Sequence, residues 1–221
     1  MNILVLGASG GTGRRVVEQG AQRGHVITAF ARSIDAAQLP PGVIVRPGDG
    51  RDSAAIRAVV AGQDAVISAV GSRSLRPTTT SREVVANVAA AMREHGVRRL
   101  VVTSSHALVA RTPRFWAALA RLIFHYPYED LGAMERELAD SPLDITIARA
   151  NMLTNKPGTG VLRAAGGTDF TEGHYQLSRD AYAEALLDLA EQLSASARAV
   201  ELTGAQRPST LGATSSVPAA P

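Results

Sequence analysis

The chain has 221 residues, 45% of them hydrophobic and 19% charged, with 20 glycines, 11 prolines and no cysteine. That length suits one α/β domain with at most a small appendage, and the missing cysteine excludes disulfides, thiol nucleophiles and thiolate metal sites. The formal charge of +3 comes from scattered arginines, Lys156 being the only lysine, so no concentrated field for nucleic acid is expected.

Short apolar, β-branched runs at 3–6, 26–30, 43–45, 65–70, 100–103 and 145–148 predict strands. Helical patterns at about 12–23, 52–61, 80–95, 114–124 and 129–140 alternate with them. A last helix opens at Ser178, with Asp180 in its first turn and Leu186, Leu187 and Leu189 behind. The alternation predicts an α/β fold: a Rossmann-type, doubly wound parallel sheet with helices on both faces. It forms one domain over residues 1–204 with a small C-terminal substrate lobe. Residues 205–221 are rich in Pro, Ser, Thr, Ala and Gly and are expected to be a disordered tail. No apolar run approaches the roughly 18 residues of a membrane span, so no membrane partner is expected. Met1 leads straight into a strand, which predicts no leader and a cytoplasmic protein.

Gly7, Gly10 and Gly13 follow the first strand and open the first helix as GxxGxxG, with Ser9, Gly11 and Thr12 between them. In a dinucleotide fingerprint one glycine permits the tight turn, one lets backbone approach the pyrophosphate, and one lets helix pack on strand. The unpaired amides of the helix start then bind phosphate. An NAD site would carry an acid at the end of the second strand; this chain has Phe30-Ala31-Arg32-Ser33, with Arg14 nearby. A guanidinium there favours the 2′-phosphate of NADP(H), a charge-assisted contact of about 1.5–3 kcal/mol. Gly48-Asp49-Gly50 ends the third strand, where Asp49 either accepts from the adenine amino group or is a turn residue. Gly71-Ser72-Arg73 ends the fourth, where small residues let the nicotinamide half approach.

Together with these loops, Ala61-Gly62-Gln63-Asp64, Pro77-Thr78-Thr79, His95-Gly96-Val97, Thr103-Ser104-Ser105, Met134-Glu135 and Ser178-Arg179 stand in one order. That pattern resembles the atypical short-chain dehydrogenases of the NAD(P)H-binding, NmrA-like type, and among them the flavin reductase (biliverdin reductase B) group with its bacterial relatives. The resemblance covers about residues 1–204. It implies hydride transfer from NADPH to a flavin, a linear tetrapyrrole or another flat conjugated acceptor. It also implies that the glycine loop, Thr12, Arg32, Ser33, Asp49, Gly50, Gly71, Ser72, Arg73 and Thr103 line the cofactor. Ser105 would face nicotinamide and substrate with Ser104 beside it, and Asn151-Met152-Leu153 would close over the ring. Three positions depart from the pattern: Ala150 where proline follows the arginine, His106 after Ser105, and Asn151-Met152. All border the nicotinamide and substrate site, so the substrate is not carried over with the family.

The Tyr-x-x-x-Lys pair of ordinary short-chain dehydrogenases is absent, because no tyrosine stands four residues before Lys156. Tyr175 and Arg179 have that spacing, but arginine is a permanently charged, different donor, and the pair is read as coincidence. A flavin or bilin acceptor relaxes the requirement, since solvent can supply the proton. If a protein acid is used, His106 is best placed; its other reading is a surface or helix-capping histidine. Five of the nine aromatics fall in 111–130, among them Trp116, Tyr126 and Tyr128. That stretch is either a wall that stacks on a flat ligand or a helix packed into the core or a partner. Arg114 and Arg121 either attract an anionic substrate or are solvated. Scattered histidines give no metal cluster, and without a GxSxG elbow Ser104 and Ser105 are not hydrolase nucleophiles. Two other functions stay open: an NADP(H)-sensing regulator without catalysis, and a reductase or isomerase specialised for one secondary metabolite. The expected partner is a small molecule, with monomer and dimer both open.

Overall fold

The computed structural model describes residues 1–71, 75–109, 122–158, 160–165, 176–192 and 198–205. In chain order the elements are β1 (Asn2–Leu6), α1 (Gly11–Gln22), β2 (Val26–Ala31), β3 (Ile44–Pro47), α2 (Ser53–Val60) and β4 (Ala65–Ser68). Then come α3 (Thr80–His95), β5 (Arg99–Ser105), α4 (His125–Ala139), β6 (Asp144–Ala150) and β7 (Met152–Thr154). The last are β8 (Val161–Ala165), β9 (Gln176–Ser178), α5 (Arg179–Glu191) and β10 (Ala199–Gly204).

Side chains of β1 alternate between two cores, as the strand period of two requires. Ile3 and Val5 pack with Val16 and Val17 of α1 and with Tyr182 and Leu186 of α5. Leu4 and Leu6 pack on the other face with Ile56 of α2, Val84 and Met92 of α3, and Met134 of α4. Both faces are thus covered, which is why these strands read as continuous apolar runs. The main sheet runs β3-β2-β1-β4-β5-β6-β10-β8, parallel throughout except between β10 and β8. Strands β7 and β9 form a separate parallel pair. The order is that of a Rossmann-type fold, and it reverses between β1 and β4, opening a crevice at their carboxyl ends.

Four strands were not expected. β7 and β9 have three residues each, too few to show alternation, and β10 is interrupted by Glu201. The run at 65–70 leaves the sheet after Ser68. The helix expected from 129 starts at His125, because Pro127 falls in its first turn, where a missing N–H is tolerated. The helix expected at 114–124 lies mostly outside the described residues, and the tail from 206 on lies wholly outside them.

The helix starts differ in a way that matters below. The Asp52 side chain accepts from Ala54 and Ala55 at the start of α2, and Ser178 accepts from Ala181 at the start of α5. For α3 the cap comes from another helix: Asp130 of α4 accepts from the Ser81 amide at 2.8 Å and the Arg82 amide at 3.1 Å. α1 has no capping side chain and no acid in its first turn. Among the described residues no helix is long and apolar enough to cross a membrane.

Candidate functional site

The crevice is shaped by glycine. Gly7 directly follows β1 with φ +75°, and a Cβ there would stand 2.8 Å from the Ala69 carbonyl oxygen. A Cβ at Gly13 would collide with the Gly7 carbonyl, so strand and helix approach as closely as they do only without side chains. Gly10 donates its amide to Gly7 O at 2.9 Å, closing the turn. The result is an open groove of about 550 Å³, lined by Ser9 and Gly10 of the glycine loop and by Arg32, Asp49 and Gly50 from the loops after β2 and β3. Gly71, Pro77 and Thr78 also line it. Thr12 is half-buried in the first turn of α1, and Gly11 lies under the side chain of Arg179.

Arg32 is exposed and has no hydrogen-bond or ion-pair partner among the described residues, whereas Ser33 follows it as an exposed bend. Arg14 is engaged elsewhere, donating to Glu18 at 2.8 Å and to Gln38 at 2.8 Å. Asp49 serves the turn, since its Oδ1 accepts the Arg51 amide at 3.0 Å, and it borders the groove as well. Asn87 of α3 pins this loop by donating to the carbonyls of Gly50 and Arg51. Ser72 and Arg73 lie outside the described residues.

These residues fit a dinucleotide. The glycine cradle has no room for a Cβ, no side chain caps the amides of α1, and the Arg32 guanidinium lines the same groove.

At the carboxyl end of β5, Thr103 is half-buried and the Ser105 hydroxyl accepts the Ala107 amide at 3.3 Å. Ser104 donates its hydroxyl to Glu135 at 2.6 Å. Behind it runs a chain of charges. Arg149 donates to both oxygens of Glu135, at 3.0 and 2.6 Å, and its Nη1 reaches Glu201 at 3.0 Å. The other Glu201 oxygen meets His106 Nδ1 at 2.8 Å. His106 is 5% exposed and Glu201 1%, which rules out the surface reading of the histidine. The hydrogen bonds from Arg149 to Glu135, and to a lesser degree to Glu201, hold its guanidinium well above the usual arginine range against the cost of burial. Beside this chain Tyr182 is 1% exposed and donates to the Ala148 carbonyl at 2.7 Å. Burial pushes its phenol up, outweighing a backbone hydrogen bond at Ser104.

Sequence reasoning did not assign Glu135, Glu201 or Tyr182 to this region. For Glu201 a signal existed: an acid between Val200 and Leu202 in an apolar strand has to find a buried partner.

Asn151 donates to Thr203 Oγ1 at 3.3 Å, Leu153 is half-buried, and Met152 stays 52% exposed. A second open cavity, about 830 Å³, lies between the start of α3 and α4 and shares Thr78 with the groove. Leu108, Tyr128, Glu135 and Arg136 border it. Tyr128 contacts the Phe124 ring at 5.8 Å between centroids, and Tyr126 is 39% exposed. Trp116, Arg114 and Arg121 lie outside the described residues. No group of three metal-ligating side chains occurs among the described residues.

A family model described as NAD(P)H-binding matches residues 7–193. Over 219 residues the chain is 28% identical to an uncharacterized chloroplastic protein of Arabidopsis thaliana, covering 90% of this chain and 75% of that one. It is 34% identical over 140 residues to a 2-alkyl-3-oxoalkanoate reductase of Stenotrophomonas maltophilia, spanning 61% of this chain but only 39% of that protein. Among solved structures, a short-chain dehydrogenase/reductase from Veillonella parvula in complex with NADP shares 21% identity at a TM-score of 0.74, covering 91% and 94% of the two chains. ChuY, an anaerobillin reductase from Escherichia coli, shares 22% identity at 0.75, covering 92% and 97%.

Proposed function

Because the chain belongs to the NAD(P)H-binding family, we propose that it is an NADPH-dependent reductase that passes a hydride to a flat conjugated acceptor, a flavin or a linear tetrapyrrole. The observation that carries the reading is Arg32, unpartnered among the described residues, on a groove also lined by Ser9 and Gly10, which lead into the uncapped first turn of α1. A guanidinium there satisfies a 2′-phosphate, where an acid would repel it. NADPH, when bound, supplies the hydride.

The chain's own residues bind and orient. Amides of the glycine loop hold phosphate, and Gly71 keeps the far wall of the groove low. Ser105 at the end of β5 offers a hydroxyl to the reacting ring, and Met152 presents an apolar face above it. An acceptor with a delocalised charge takes its proton from solvent, so the missing Tyr-x-x-x-Lys pair does not stop the reaction. The cavity beside α4 gives such an acceptor a place next to the groove. A protein of the same fold, ChuY, is an anaerobillin reductase, which supports a bilin-type acceptor here.

A second reading is an NADP(H) sensor without turnover. It is favoured by the engagement of Ser104 and His106 with carboxylates, which leaves neither side chain aimed at a substrate as its main contact.

The test is loss of NADPH absorbance with FMN, riboflavin and biliverdin offered separately, beside calorimetric NADPH binding. Turnover with any of the three supports the reductase. Tight binding without turnover transfers support to the sensor, and no binding overturns both.

A further inference from the structure

We infer that Arg179, the first residue of α5, is a ligand for the cofactor's pyrophosphate, a role distinct from that of Arg32. The inference rests on the cofactor reading of the glycine loop.

Arg179 lies across the first turn of α1. A Cβ added at Gly11 would meet its Cδ and its Nε at 3.2 Å each. Its Nη1 donates to Asn155 Oδ1 at 3.0 Å, a neutral acceptor, and it forms no ion pair among the described residues. The neighbouring acid does not neutralise it: Asp180 accepts from Arg15 Nε at 2.7 Å instead. Nearby arginines each hold a carboxylate, Arg14 with Glu18, Arg15 with Asp180, and Arg23 with Asp188 and Glu191.

The position is electrostatically uphill for a cation. The start of a helix is the positive end of its dipole, and α1 has neither a capping side chain nor a first-turn acid to offset it. A guanidinium kept at that point with only a neutral partner matches an anion shared between it and the α1 amides. Gly11 leaves the space in which it lies. Asn155 directly follows β7 and Arg179 opens α5, so the hydrogen bond between them joins the 152–155 stretch to the side chain that lies over Gly11 at the start of α1.

Arg179 and Arg32 predict different selectivities. The pyrophosphate is common to NADPH and NADH, whereas the 2′-phosphate belongs to NADPH alone. Calorimetric titration of the full chain, Arg179→Ala and Arg179→Gln with both nucleotides separates them. Each variant should lose about 10- to 100-fold in affinity for both, leaving the NADPH-to-NADH ratio unchanged. Arg179→Gln keeps a polar side chain of shorter reach without the charge, so an equal loss in both variants with unchanged melting excludes a purely structural effect. Melting curves without nucleotide should stay near the parent's, because only one exposed hydrogen bond to a neutral acceptor is removed. Unchanged affinity for both nucleotides, or a loss confined to NADPH, would overturn the assignment while leaving the cofactor reading intact. Failure of the parent to bind either nucleotide overturns the glycine-loop reading, and this one with it.

Discussion

Replacing Glu201 tests whether the buried charge chain holds the carboxyl ends of β5, β6 and β10 together. Glu201 is 1% exposed and takes two contacts, from Arg149 at 3.0 Å and His106 at 2.8 Å. Hydrogen bonds to charged groups are worth about 1.5–3 kcal/mol each, and removing one partner of a buried pair costs about 3–5 kcal/mol. Glu201→Ala should therefore lose about 3–5 kcal/mol, a large share of the 5–15 kcal/mol that typically keeps a domain folded. Glu201→Gln keeps the shape and one acceptor and should lose about 2 kcal/mol. With a urea slope of about 2 kcal/mol/M, its midpoint falls by about 1 M. The exposed pair of Arg14 and Glu18 is the control, and Glu18→Gln should cost under about 0.5 kcal/mol. The assay is equilibrium urea unfolding by circular dichroism, repeated for Arg149→Met and the double variant. Each single change strands a partner's charge, so the double variant should lose less than the sum of the two. A Glu201→Gln midpoint no lower than that of Glu18→Gln, or strict additivity with Arg149→Met, refutes the reasoning.

Arg32→Ala should weaken NADPH about tenfold and leave NADH unchanged in a binding titration, since the exposed guanidinium meets only the 2′-phosphate; an equal loss for both would place it elsewhere. Tyr182 should make the protein base-sensitive. Its folded-state pKa is raised by burial while the unfolded phenol ionises near 10, so the stabilisation is complete below pH 10 and falls by about 1.4 kcal/mol per unit well above it. Tyr182→Phe removes that slope and costs about 1–2 kcal/mol at neutral pH, as urea midpoints between pH 7 and 11 would register. Asp130→Ala should leave the first turn of α3 without its cap, costing about 1 kcal/mol and raising hydrogen exchange at the Ser81 and Arg82 amides. Unchanged exchange there would show that the cap is dispensable.

The parts of this fold most legible in the sequence are those governed by local rules. Continuous apolar strands at 3–6 and 65–68 report burial on both faces, and Ser178 followed by Asp180 reports a helix start. The glycine loop was readable because three glycines between a strand and a helix have a steric cause. The edge of the sheet was not. β10 joins β6 through partners 52 residues away, as at Val200–Ala148, and β8 through partners 37 away at Glu201–Ala164, and no local pattern encodes such pairings. The chain Ser104, Glu135, Arg149, Glu201, His106 escaped for the same reason, since its members come from β5 and the turn after it, α4, β6 and β10 and meet only once the sheet has formed. Nothing in the 129–140 helical pattern marks Asp130; its role as a cap depends on where α3 begins relative to α4.

The strand order has a consequence for how the protein divides its labour along the chain. Nearly every wall of the groove, from Leu6 to Val84, is built from the loops that follow β1 to β4, while the second cavity draws chiefly on residues 108–139. The two meet at Thr78. Under the proposed reading, the groove and the acceptor's cavity are carried by nearly separate stretches of one gene, so drift within 108–139 retargets the acceptor without retuning the loops after β1 to β4.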